Sequence, residues 1–149
     1  MKLHIKPFLS LTVSELYEIL RVRSGVFVVE QNCVYQDPDG IDRESLHVWM
    51  EEEGRILAYL RLFRKGENCV QIGRVLTTER GKGYGSRILQ AGIQAAEEWL
   101  HAAELYLEAQ TYAIVFYEKA GFRVTSAEFL EDGIPHVQMR RKLTLQEPL

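Results

Sequence analysis

A glycine-rich turn, Arg80-Gly81-Lys82-Gly83-Tyr84-Gly85-Ser86, joins an apolar strand-like segment at 70–76 to an amphipathic pattern at 88–100. In that pattern the apolar pairs Ile88/Leu89, Gly92/Ile93, Ala95/Ala96 and Trp99/Leu100 recur every three to four residues, the signature of a helix with one buried face. A strand followed by such a helix must pack the two against each other. The turn between them is the point where the backbone is least encumbered. Glycines at 81, 83 and 85 let the backbone turn tightly and come close to a ligand. The helix that opens there has unpartnered N–H groups and the positive end of its dipole, and together these suit a phosphate.

Two familiar phosphate loops do not fit. A dinucleotide fingerprint needs Gly-x-Gly-x-x-Gly after the first strand of a parallel unit. Here the spacing is one residue short, and the preceding segments read as an antiparallel meander. A Walker loop needs four residues between its first glycine and Gly-Lys-Ser/Thr, and none is present. A bare turn feeding a surface helix stays open on these residues alone.

The rest of the chain reads as a mixed α/β domain in the order β-α-βββ-α-β-α-ββ, with about seven strands. Residues 3–8 alternate apolar and charged side chains as a first strand does. Thr12-Val13-Ser14-Glu15 is a capping box, and the helix it opens is expected to run to about Val29. Segments 47–52, 55–64 and 68–76 read as strands with tight turns at Glu53-Gly54 and Lys65-Gly66. Residues 104–109 alternate as a strand. Residues 111–119 fit a short helix stopped by Gly121. Segments 122–130 and 136–143 read as the last two strands, and 144–149 as a tail. A single domain over 1–143 is expected.

Composition narrows the function. With 149 residues, a net charge of −3 and no long basic run, the chain does not look built for nucleic acid or an anionic membrane. No run of 18 apolar residues suggests a membrane span, and the charged N-terminus is unlike a signal peptide. Cys33 and Cys69 lack metal spacing, as do His4, His47, His101 and His136. No metal site is expected, and reduced thiols point to a cytoplasmic setting.

Three motifs in order carry a resemblance. Arg80-Gly81-Lys82-Gly83-Tyr84-Gly85 resembles the Arg/Gln-x-x-Gly-x-Gly/Ala signature of the GNAT acyltransferase superfamily. Ile72-Gly73-Arg74-Val75 resembles that family's central strand, and Phe116-Tyr117-Glu118-Lys119-Ala120-Gly121-Phe122 its second common element. Arg21-Val22-Arg23, the run from Val26 to Tyr35, Asp39-Gly40-Ile41-Asp42, His47 and Gly133-Ile134-Pro135-His136-Val137 resemble the ElaA-like branch. The link Thr77-Thr78-Glu79 is short for that branch, which leaves the register of the cofactor-binding strand open by one or two positions.

The resemblance implies acetyl-CoA (or CoA) as co-substrate and an amine acceptor, either a small molecule or an exposed protein amino group, in a ternary complex. It implies cofactor contacts from Arg74, Val75, Leu76 and Thr77 and from the loop Arg80, Gly81, Lys82, Gly83, Tyr84, Gly85 and Ser86. The strand before the loop is expected to splay at a bulge near Gly73, and a backbone N–H near Val75 or Leu76 to face the thioester oxygen. Tyr117 is implied as the general acid at sulfur. His136 and Glu30 are candidate bases. Gln31, Asp42 and His47 are candidate acceptor contacts. Alternatives stay open for several of these: Glu30 pairing with Arg23 or Arg61, His136 bonding a loop carbonyl, and the aspartates at 37, 39 and 42 shaping a turn. A CoA-binding sensor without turnover and a homodimer are both compatible with the same motifs.

Overall fold

The structure, a computed structural model, describes residues 1–143; the tail expected at 144–149 lies outside them. The chain runs β1 (Lys2–Pro7), α1 (Val13–Arg23), β2 (Leu46–Glu52), β3 (Arg55–Arg64), β4 (Cys69–Thr77), α2 (Tyr84–Leu100), β5 (Glu104–Gln110), α3 (Ile114–Lys119), β6 (Arg123–Val124), β7 (Phe129–Glu131) and β8 (Ile134–Lys142). All strands join one eight-stranded sheet in the order β1-β2-β3-β4-β5-β8-β6, with β7 also on β8. The meander β1 to β4 is antiparallel, β4 and β5 are parallel because α2 crosses between them, and β5 is antiparallel to β8.

Period-two alternation gives the sheet two apolar faces. Ala58, Leu60 and Leu62 of β3 point into a cluster with Ile88, Leu89, Ile93 and Ala96 of α2. Tyr59, one residue out of phase, joins Ile19 and Val22 of α1 with Trp49 and Leu76 on the other face. Gly92 sets the helix–sheet distance, since a Cβ there would lie 2.6 Å from Leu60 Cδ2. The α1 capping box forms as expected: the Glu15 N–H donates to Thr12 Oγ1, and the Thr12 N–H donates to Glu15 Oε1.

Two expectations change. The strand expected at 122–130 is split into β6 and β7, giving eight strands rather than seven. Ser126 Oγ accepts from the Gln138 N–H at 2.8 Å, and Thr125 N–H donates to Gln138 O, so the segment hooks onto β8 by turns instead of a continuous ladder. The first helix does reach the region of Val29, but as a π-helical turn over Ser24–Glu30, a wider coil often found at functional sites.

Two irregularities in β4 create space. Between the pairs Tyr59↔Leu76 and Arg61↔Gly73, β3 has one intervening residue and β4 has two, Arg74 and Val75. That is a β-bulge. On its other edge β4 meets β5 only at Cys69↔Glu104, Val70↔Leu105 and Gln71↔Tyr106, after which the parallel strands part.

Candidate functional site

The parting strands open a cleft of about 640 Å³. Its floor is β4 from Gln71 to Thr77 and β5 from Leu107 to Gln110. Phe116 and Tyr117 of α3, Val26, Phe27 and Gln31 of the π-helical turn, and Glu131, Ile134 and His136 around the last hairpin complete the walls.

One end of the cleft is made for an anion. Gly81 and Gly83 have φ of +76° and +75°, backbone that other residues adopt with strain. Gly83 caps α2 without a side-chain hydrogen bond, and the first turn holds no acidic residue. The N–H groups there are free for an external acceptor. Gly85 lies in the first turn, where a Cβ would meet Phe116 at 3.5 Å. Of the loop, Arg80 and Gly85 line the cleft, and Gly81, Lys82, Gly83, Tyr84 and Ser86 do not. Two of their side chains turn elsewhere: Lys82 pairs with Glu79 at 3.2 Å in solvent, and Tyr84 packs on the core. Glu30 pairs with Arg80 at the mouth and is half exposed. This corrects the expected pairing with Arg23 or Arg61: the partner of Glu30 is Arg80.

In the middle lies the bulge. The expected distortion at Gly73 falls one residue later, on Arg74, whose φ is +52°. Arg74 and Val75 are outside the β3 ladder and beyond the last β5 pair, so their backbone groups face the cleft without a strand partner. The Arg74 side chain turns to the loop at Asp37: its Nη2 donates to Asp37 O at 3.0 Å, and its Nε lies 2.9 Å from Asp37 Oδ1. Leu76 is buried in the α1-side core, and Thr77 lines the cleft beside Gly85.

Tyr117 lines the cleft and is 9% exposed, edge-on to both Phe116 and Phe122. Burial pushes its phenol well above the ordinary value, with no hydrogen bond offsetting it. It stays protonated across the neutral range.

At the far end stands a group that sequence reasoning met only through His136. His136 Nδ1 is 2.7 Å from Ile134 O. A carbonyl can only accept, so Nδ1 carries the hydrogen. Nε2 lies 3.4 Å from Glu131 Oε2. Burial raises the Glu131 carboxyl pKa, and the neighbouring Glu108 raises it further. Glu108 lines the cleft from β5. Its signal was the alternation Glu104, Tyr106, Glu108, Gln110 opposite the buried Leu105, Leu107 and Ala109. Gln31, an expected acceptor contact, also lines the cleft and receives a hydrogen bond from Gln110 Nε2 at 3.2 Å.

Asp42 and His47 do not line the cleft, which corrects their expected role as acceptor contacts. Asp42 Oδ1 accepts from Arg23 Nη1 at 2.6 Å and from Arg61 Nη1 at 3.0 Å. His47 is fully buried, and burial lowers its pKa. Its Nε2 donates to Asp42 O at 2.9 Å, and its Nδ1 accepts from the Tyr59 hydroxyl at 2.7 Å. Both belong to the scaffold under the cleft.

The comparisons agree with this geometry. Residues 26–143 match the model of an acetyltransferase (GNAT) domain. A UPF0039 protein of Schizosaccharomyces pombe is 39% identical over 142 residues, 93% of this chain and 95% of that protein. The crystal structure of an acyl-CoA N-acyltransferase from Pseudomonas aeruginosa superposes with a TM-score of 0.89 at 39% identity, over 95% of this chain and 99% of that one. The crystal structure of Escherichia coli ElaA gives 0.87 at 34% identity, with the same coverage. A bulged, splayed central strand beside an uncapped glycine-rich helix start, in a chain with these relatives, has one reading: the chain belongs to the GNAT acetyltransferase family, in the group of ElaA and the UPF0039 proteins.

Proposed function

We propose that the chain is an acyl-CoA-dependent N-acyltransferase that moves an acetyl group from acetyl-CoA to an amine. The observation that carries this is the single cleft in which an uncapped helix N-terminus, an unpaired β-bulge and a buried phenol follow one another. The pyrophosphate would sit on the N–H groups from Gly81 to Ser86, with the α2 dipole behind them. The pantetheine amides would pair with the free edge of β4 as an added strand does. The thioester carbonyl would then meet the Val75 N–H, a donor that needs no reorganisation as charge builds on oxygen.

The acceptor enters from the end that holds Glu108, Glu131 and His136. An alkylammonium has a pKa of about 10.4, so it arrives protonated and must lose a proton before attack. Two carboxylates beside one imidazole favour the cation on arrival, and the cluster takes up the proton. The neutral amine attacks the carbonyl carbon, and the tetrahedral intermediate expels the CoA sulfur. Tyr117 gives the sulfur its proton; a phenol held protonated by burial suits that role.

The test is a thermal shift with CoA and with acetyl-CoA, followed by thiol release across a panel of small amines and lysine peptides. Stabilisation by both ligands, and release with at least one amine, is expected. No stabilisation would end the reading; stabilisation without release would favour a CoA-binding module.

A further inference from the structure

Arg74 holds the left-handed conformation that glycine adopts without strain, directly after a glycine, Gly73, that does not use it. The chain therefore accepts a backbone penalty at 74 and keeps a side chain there. That side chain is clamped. Nη2 donates to Asp37 O at 3.0 Å and to Asp39 Oδ2 at 3.3 Å, Nε lies 2.9 Å from Asp37 Oδ1, and the guanidinium lies over the Tyr35 ring at 5.4 Å.

The clamp is itself anchored. Asp37 accepts from Arg23 Nε at 2.9 Å and from the Tyr35 hydroxyl at 3.2 Å. Asp39 is gripped end-on by Arg61, with Nη2 at 2.7 Å from Oδ2 and Nη1 at 2.9 Å from Oδ1. Asp42 closes the ring between Arg23 and Arg61. Arg23 is rooted in the last turn of α1 and fully buried. Three arginines meet three aspartates, so the network is neutral and self-contained. It ties α1, the loop from Tyr35 to Asp42, β3 and the bulge into one body.

We propose that Arg74 is a positioning residue for acyl transfer: its clamp by Asp37 and Asp39 holds the β4 bulge so that the Val75 N–H faces the thioester oxygen. This rests on the acyltransferase reading above. Arg74 and Val75 form the bulge, and Arg74 acts through the backbone it fixes, not by touching substrate. The same clamp places the Tyr35–Asp42 loop beside the cleft, so the acyl and acceptor sides are set by one strut.

The test compares Arg74→Ala, Arg74→Gly and Asp39→Asn with the unaltered protein by kcat, KM for acetyl-CoA, melting temperature and hydrogen exchange at the Val75 amide. Both Arg74 variants lose the clamp, but glycine keeps the left-handed backbone free of strain. The expected order of kcat is unaltered protein, then Arg74→Gly, then Arg74→Ala, with glycine ahead of alanine by about tenfold. KM for acetyl-CoA should move far less than kcat, and the Val75 amide should exchange fastest in Arg74→Ala. Asp39→Asn should lower kcat in the same direction. Equal kcat in Arg74→Ala and Arg74→Gly, or unaltered exchange at Val75, would overturn the proposal. An unaltered protein that binds no acetyl-CoA would instead overturn the acyltransferase reading, and the exchange order would still judge the strut.

Discussion

Replacing Asp42 by Asn separates a scaffold residue from a substrate contact. The change keeps the shape of the side chain and removes its charge. Asp42 Oδ1 serves two guanidinium groups, Arg23 at 2.6 Å and Arg61 at 3.0 Å, and both are almost wholly buried. Without it, three arginines face two carboxylates, and one positive charge is left uncompensated out of water. Breaking a buried pair in this way costs about 3–5 kcal/mol. The amide oxygen can still accept one hydrogen bond, so the lower end, about 3 kcal/mol, is expected. For a domain of this size that is a fall in melting temperature of about 6–12 °C. Urea unfolding monitored by Trp49 fluorescence would give the same quantity as a midpoint shift. Among molecules that remain folded, KM for the amine should be near that of the unaltered protein. A variant with undiminished stability and a raised amine KM would refute the reasoning and return Asp42 to the acceptor site.

Other outcomes follow from the same geometry. Tyr117→Phe should reduce kcat at least about tenfold and leave both CoA affinity by calorimetry and melting temperature unchanged, because none of the described residues bonds the hydroxyl; an unchanged kcat would remove Tyr117 from the mechanism. Gly92→Val should destabilise by about 1–3 kcal/mol, since its Cβ would stand 2.6 and 2.9 Å from the Leu60 δ-carbons; a melting temperature equal to that of the unaltered protein would contradict the close packing of α2. Acid should weaken the fold in two stages. His47 is kept neutral by burial, so its contribution is present above its ordinary 6.5 and declines as pH falls below that. Burial opposes ionisation of Asp39, but the Arg61 hydrogen bonds and charge outweigh it and hold the carboxyl at about 2 against an ordinary 3.8. Its contribution is therefore present above about 4 and disappears as pH falls through about 2. Melting curves from pH 8 to pH 2 should show the first stage vanish in His47→Gln, and its persistence there would assign it to another group.

The parts of the fold set by local chemistry were legible. The span 55–64 is a strand-like, largely apolar run between two turn signals and forms β3 over those same residues. Thr12 and Glu15 predict a cap that the structure makes. The glycines at 81, 83 and 85 predict a tight turn, and Gly81 and Gly83 take left-handed backbone in it. What was not legible depends on residues distant in the chain. The bulge was expected near Gly73, where a distortion is easiest; its left-handed residue is Arg74, whose partners Asp37 and Asp39 lie more than thirty residues earlier. The run Val26-Phe27-Val28-Val29 is apolar throughout, so its periodicity cannot separate an α-helix from the π-helical turn it forms. Asp42 and His47 were drawn into the acceptor site by resemblance; the pairing of Asp42 with Arg23, nineteen residues away, and the bonds of His47 to Asp42 O and the Tyr59 hydroxyl hold them in the scaffold instead. Glu108 and Glu131 meet because β5 and β7 both pair with β8, a sheet order that no local pattern announces.

The central claim is that this cleft receives acyl-CoA, with its pyrophosphate on the α2 N-terminus. Calorimetric titration of acetyl-CoA into the unaltered protein and into Gly83→Ala tests it most directly. Space around Gly83 is open, so alanine adds no clash with the protein, but φ of +75° is unfavourable for it and the loop N–H groups should lose their alignment. The account predicts one acetyl-CoA per chain, with binding about tenfold weaker in the variant. No heat of binding in the unaltered protein, or equal affinity in the two, would contradict it.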